Sequence, residues 1–136
     1  MKDDIIVRKI NSIERSVQKV YTVYDDNPNE LLDTIKQDSM VLNIHRACKA
    51  GIDLAIHIIA EYQLGIPQSY RESFDILHDK GIIDHSLKLK MKNMEEFRHV
   101  AVSDSRKINL NALKKTIEQD LPDLSLLGRQ VLKSKI

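Results

Sequence analysis

Tryptophan is absent, and the 136 residues include one cysteine, four glycines, three prolines, four tyrosines and two phenylalanines. Each shortage excludes something. The single thiol, Cys48, can form neither an internal disulfide nor a cysteine-rich zinc site, so the chain reads as one for a reducing, cytoplasmic compartment. So few glycines and prolines cannot supply the regular turns of an all-β protein; they mark helix ends instead. Six aromatics are too few for RNA-recognition and oligonucleotide-barrel modules, which hold bases on aromatic platforms. No apolar run reaches the roughly 18 residues of a membrane helix, because Asp53 and His57 interrupt the most hydrophobic stretch. No apolar signal region follows Met1-Lys2-Asp3-Asp4. A charge excess is missing too: 21 Lys and Arg face 20 Asp and Glu, a net of +1, so the molecule is not a polycation built to coat nucleic acid.

What is present is a helical pattern in a chain that is 42% hydrophobic, enough for one domain spanning residues 1–136. Asp3 and Asp4 suit a helix start, and Ile6, Ile10, Ile13, Val17, Val20 and Tyr24 then recur every three or four positions. The turn chemistry of residues 25–29 ends that helix. From about Asn29 to Tyr62 the helical rhythm predicts one long helix of up to about 50 Å, ended by Gly65 and Pro67. Its second half is apolar on more than one face, as suits a central element. Ser69 and Glu72 form a capping-box pattern for a short helix ending near Gly81, and Asp84 caps the next. A last helix runs from about Asn111 with Leu113, Ile117, Leu121, Leu124, Leu127 and Val131 inward, kinked or split by Pro122. The fold class expected is all-α: an antiparallel helical bundle of five to six helices.

Little in this pattern carries chemistry by itself. No histidine or cysteine pair has the spacing and companions of a metal site, and no glycine-rich loop cradles phosphate, so no metal and no cofactor is expected. His57, four residues after Asp53, reads as a core histidine bonded to that carboxylate. The distribution of charge says more than its sum. From Lys88 to Lys115 eight basic residues face three acidic ones, giving that segment +5 and leaving −4 for the rest. A solvated face is the simpler reading; a phosphate-contacting patch including Lys88, Lys92, Arg106 and Lys107 is the sharper one.

Three blocks in order, residues 42–57 (LNIHRACKAGIDLAIH), 64–74 (LGIPQSYRESF) and 97–102 (FRHVAV), make the chain resemble the HepT-like branch of the HEPN superfamily. The resemblance extends from Ile5 to about Leu127. It implies a HEPN-like all-α homodimer that acts as a metal-independent endoribonuclease, the toxin of a toxin–antitoxin module. RNA is the implied substrate, tRNA among the candidates, and the implied partner is a minimal nucleotidyltransferase antitoxin. Arg71 and Tyr70 fall in the second block, where Tyr70 reads as a packed residue.

The family motif runs Arg, a polar residue, three mostly apolar residues and a catalytic His, with a Tyr modified by the antitoxin two positions later. Arg98 matches the Arg, and His99 occupies the polar position. Ser103 stands where the catalytic His is expected and Ser105 where the modified Tyr is expected. Cleavage by attack of a 2′-hydroxyl on its neighbouring phosphate needs a proton acceptor and a stabiliser of phosphate charge. Arg98, permanently cationic and forked, suits the second task. Serine cannot hold or release a proton near neutral pH as imidazole does. Losing such a group costs on the order of 10²- to 10⁴-fold in rate, so the resemblance implies an impaired enzyme or a dimer that binds RNA or its partner without cutting.

Overall fold

The computed structural model describes residues 3–103 and 109–136, with side chains given for 3–94 and 109–136. Helix α1 (Asp4–Tyr24) starts where Asp3 accepts the Ile6 N–H at 2.8 Å, and its six predicted apolar residues are all buried. It ends at Asp25, which takes a left-handed conformation.

The long helix expected from Asn29 is broken. Residues Pro28–Leu32 form a 3₁₀ turn, and α2 (Thr34–Glu61) begins only after Asp33. The physical reason is local: the Asp33 carboxylate accepts the N–H groups of Ile35 and Lys36 at 3.0 and 3.1 Å, offering the backbone a new helix start. At 28 residues α2 is about 42 Å long. Its end at Glu61, with Tyr62 as the cap, agrees with the expected boundary, but the closing turn is made before Gly65. Gln63, at φ 55°, occupies the left-handed position, and Leu64 N–H returns to the Ile59 carbonyl at 2.9 Å, so a glutamine performs the closing turn usually given to glycine.

Helix α3 (Tyr70–Asp79) is capped by Ser69, whose hydroxyl accepts the Glu72 N–H at 3.1 Å. Gly81 then ends it at φ 75°, with Ile82 N–H bonded to the Leu77 carbonyl at 2.9 Å. Helix α4 (His85–Ser103) follows, capped by Asp84, which accepts the Leu87 N–H at 2.8 Å. The last helical stretch divides into α5 (Leu110–Lys115), a π-helical turn (Thr116–Asp120) and α6 (Leu121–Lys133). The division falls just before Pro122, which has no N–H to return to the preceding turn. The expected stripe from Leu113 to Val131 is buried throughout.

Among the described residues there is no strand, and no helix is long and apolar enough to cross a membrane. Helix α2 is the hub, packing against α1, α3, α4 and α6. Helices α1 and α6 meet closely at Gly128, where a Cβ would lie 2.9 Å from Ile10 Cγ2; at Gly51 of α2 it would lie 3.1 Å from Leu124 Cδ2. One tertiary contact corrects the expected partner of His57. Its Nε2 lies 3.2 Å from Asp3, the cap of α1, whereas Asp53 pairs with Lys49 at 3.0 Å. Asp53 has the Lys49 ammonium one turn away on its own helix, and the antiparallel course of α1 delivers a second carboxylate to the histidine.

Candidate functional site

The motif positions Arg98, His99 and Ser103 all lie on α4, so the contacts that fix α4 fix the site. At its start Asp84 and Gln130 of α6 clasp each other twice: Asp84 N–H donates to Oε1 at 2.9 Å, and Gln130 Nε2 donates to the carboxylate at 2.8 Å. These bonds, with the Leu87 amide, hold the Asp84 carboxyl below the usual aspartate range, the amide contributing most. Leu87, Met91 and Met94 form the buried face of α4, at the spacing of one helical stripe. Met91 and Met94 close with Cys48, Ile52, Phe74 and Leu124 on a void of only about 10 Å³.

On its other side α4 runs antiparallel to α3. Asp75 receives Lys92 Nζ on both carboxylate oxygens at 3.0 Å and lies 3.9 Å from Lys88, while Arg71 Nη1 donates to the Lys92 carbonyl at 3.4 Å. Pairing 71 with 92 and 75 with 88 fixes the direction. Beyond Lys92, α4 continues past the N-terminal end of α3.

The same contacts change how the basic segment reads. Lys88 and Lys92 share Asp75, Lys90 lies 3.5 Å from Asp123, Lys114 lies 3.8 Å from Glu118 and Lys115 lies 3.4 Å from Asp120. Every described lysine of residues 88–115 thus meets a carboxylate, and in the case of Lys88, Lys90 and Lys92 it comes from another helix. Much of the charge contrast seen along the sequence therefore cancels in space, as opposite members of these pairs. Asp123 is the costly member. It is 7% exposed with Oδ2 buried and unpartnered, and desolvation pushes its carboxyl up against the opposing pull of Lys90.

The helical backbone brings Arg98, His99 and Ser103 within about 7.5 Å along one axis. Their side chains lie outside the described set, as do Ser105, Arg106 and Lys107 altogether. Tyr70 is not packed: it is 50% exposed on the wall of a pocket of about 550 Å³ lined also by Ile56, Pro67, Gln68, Ser69 and Arg71. Sequence reasoning missed this pocket and Asp75. No local signal marks either one, since the pocket depends on how α2 meets the start of α3 and the Asp75 pairs on how α3 lies against α4. Among the described residues no three His, Cys, Asp or Glu side chains gather as a metal site would require.

A model of the HepT-like ribonuclease family matches residues 9–131. The chain belongs to the HepT-like ribonuclease family. Among relatives of this HepT-like protein, the mRNA nuclease HepT of Shewanella oneidensis is 39% identical over 121 residues, covering 89% of this chain and 91% of the relative. A crystal structure of a toxin–antitoxin complex with AMP-PNP matches with a TM-score of 0.91 and 36% identity, over 97% of this chain and 100% of the other. A tri-AMPylated Shewanella oneidensis HEPN toxin in complex with an MNT antitoxin matches with a TM-score of 0.91 and 35% identity, over 98% and 100%. The all-α architecture expected for a HepT-like chain is therefore present among the described residues.

Proposed function

We propose that this HepT-like protein is the toxin half of a toxin–antitoxin pair, that it works as a homodimer, and that a minimal nucleotidyltransferase is its antitoxin partner. Its chemistry on RNA is that of a metal-independent endoribonuclease weakened at one position. The observation that supports this reading is the family match over residues 9–131, a span that includes the α4 segment bearing Arg98 and Ser103. Arg98 supplies a fixed positive charge for the phosphate oxygens as the 2′-hydroxyl attacks. Ser103 offers no base of suitable pKa, so the attacking proton leaves slowly.

Assay of metal-free RNA cleavage by this chain beside its Ser103→His variant tests the proposal. The variant is expected to cut at least about 10²-fold faster. A folded Ser103→His chain that cuts no faster removes the ribonuclease reading of this site. The serines at 103 and 105 also favour a second reading, a dimer that holds RNA or its nucleotidyltransferase without cleavage. That reading requires salt-sensitive RNA retention with no products.

A further inference from the structure

We propose that the groove between α3 and α4 holds a phosphodiester of single-stranded RNA on Lys88 and Lys92, and that Asp75 is a built-in stand-in which that phosphate displaces. The inference rests on the ribonuclease reading and adds to it a backbone-binding subsite with its own gate. Charge is out of balance at this place. Lys92 Nζ lies 3.0 Å from both oxygens of Asp75, and Lys88 Nζ lies 3.9 Å from one of them, too far for a hydrogen bond. Among the described residues no other carboxylate pairs with either lysine, so two ammoniums share one negative charge. Like charges one helical turn apart repel, and an anion between them is what makes the arrangement tolerable. The other described lysines of the segment are paired one to one, Lys90 with Asp123, Lys114 with Glu118 and Lys115 with Asp120.

A phosphodiester matches the resident anion in kind. Like a carboxylate it is a monoanion with two terminal oxygens, so it offers the two ammoniums the same charge-assisted bonds, and Lys88 gains one that Asp75 does not give it. The lysine side chains are only 16% and 23% exposed, so the groove already orders them for an incoming anion. Displacing Asp75 costs little. Its side chain is 34% exposed and can turn to water, and an ion pair this open to solvent contributes weakly. Nor do the helices depend on the pair: Phe74 and Leu77 of α3 and Leu87, Met91 and Met94 of α4 are all buried, and that apolar packing holds α4 in place when the carboxylate leaves.

Fluorescence anisotropy with a short fluorescein-labelled single-stranded RNA at low salt tests this, using wild type, Asp75→Asn, Asp75→Ala, Asp79→Asn, and Lys88→Gln with Lys92→Gln in both the wild-type and Asp75→Asn backgrounds. Asp75→Asn is expected to lower Kd about 2- to 30-fold, the combined worth of two partly exposed ion pairs, and Asp75→Ala to do the same. A carboxylate that merely braced α4 would give the opposite sign. Asp79→Asn, on the same helix but against His78 and neither lysine, should stay near wild type. The gain from Asp75→Asn should vanish once both lysines are glutamine. If wild type binds RNA and Asp75→Asn binds it no more tightly, the gate and its subsite are overturned and the ribonuclease reading stands. A gain that survives the lysine substitutions, or that Asp79→Asn reproduces, is the general effect of one fewer negative charge and overturns the subsite as well. If neither wild type nor Asp75→Asn binds RNA, both readings fall.

Discussion

Two glycines in the helical core make opposite predictions for the same substitution. Replacing a helix-interior glycine with alanine gains about 1 kcal/mol from backbone entropy alone. At Gly51 the new Cβ meets Leu124 Cδ2 at 3.1 Å and Leu127 Cδ2 at 3.5 Å. Both are ends of side chains that yield by a few tenths of an ångström, so Gly51→Ala should be stabilising by about 0.5–1 kcal/mol. At Gly128 the Cβ meets Ile10 Cγ2 at 2.9 Å, with Cγ1 at 3.6 Å and Cβ at 3.8 Å behind it. Ile10 is β-branched, held in one rotamer by its helix and 8% exposed, so relief requires α1 and α6 to separate. Overpacking of that kind costs about 1–3 kcal/mol, which leaves Gly128→Ala destabilised by up to about 2 kcal/mol. Urea unfolding at one fixed protein concentration reads both values, since any dimer makes the midpoint concentration-dependent. Ile10→Ala should destabilise less in the Gly128→Ala background than alone, because it removes the clashing methyl. Equal or greater stability of Gly128→Ala relative to Gly51→Ala would refute the close approach of α1 and α6.

Two further predictions concern pH, and their signs differ. Asp3 has its carboxyl lowered from 3.8, first by the Ile6 amide and then by His57, so its contribution is present above about pH 4 and lost as pH falls through the lowered folded value. Asp3→Asn keeps a good cap without the charge. Its stability deficit should shrink as pH falls from 6 to 2, and a deficit constant with pH would exclude a charge effect. Asp123 runs the other way. Desolvation raises its carboxyl, so the ionised form costs stability at neutral pH and that cost is relieved as pH falls through the raised value. Asp123→Ala should be neutral or stabilising by about 1 kcal/mol at pH 7, with wild type gaining on it towards pH 4. Wild type losing ground over that interval would contradict the burial argument.

The parts of the fold legible in the sequence are those governed by neighbours along the chain. The stripe of α1, the stripe from Leu113 to Val131, and the Ser69 and Asp84 caps follow from helical spacing and side-chain bonds to nearby amides. The break at Asp33 escapes the pattern because apolar residues continue through it while the cap acts on the backbone. Likewise, a left-handed Gln63 at the end of α2 leaves no glycine to read. Contacts between distant segments are not legible at all: His57 with Asp3, Asp75 with Lys88 and Lys92, Tyr24 with Glu118. The motif at 98–103 becomes readable only through resemblance, since one arginine and one serine on a helix have no physical signature of their own.

The lysine pairs along α4 and α5 have a consequence for how any polyanion must bind there. Asp75, Asp123, Glu118 and Asp120 already occupy the five described lysines of that segment, as internal rivals of an incoming phosphate. Counting lysines as free would give a salt slope near −3.5 for single-stranded RNA, at about −0.7 per phosphate neutralised. Exchange of one carboxylate for one phosphate releases far fewer counterions, and salt loosens both partners alike. Association at this face should therefore remain salt-sensitive but less steeply so than five free lysines would give, and discrimination among RNAs must come from groups other than these lysines.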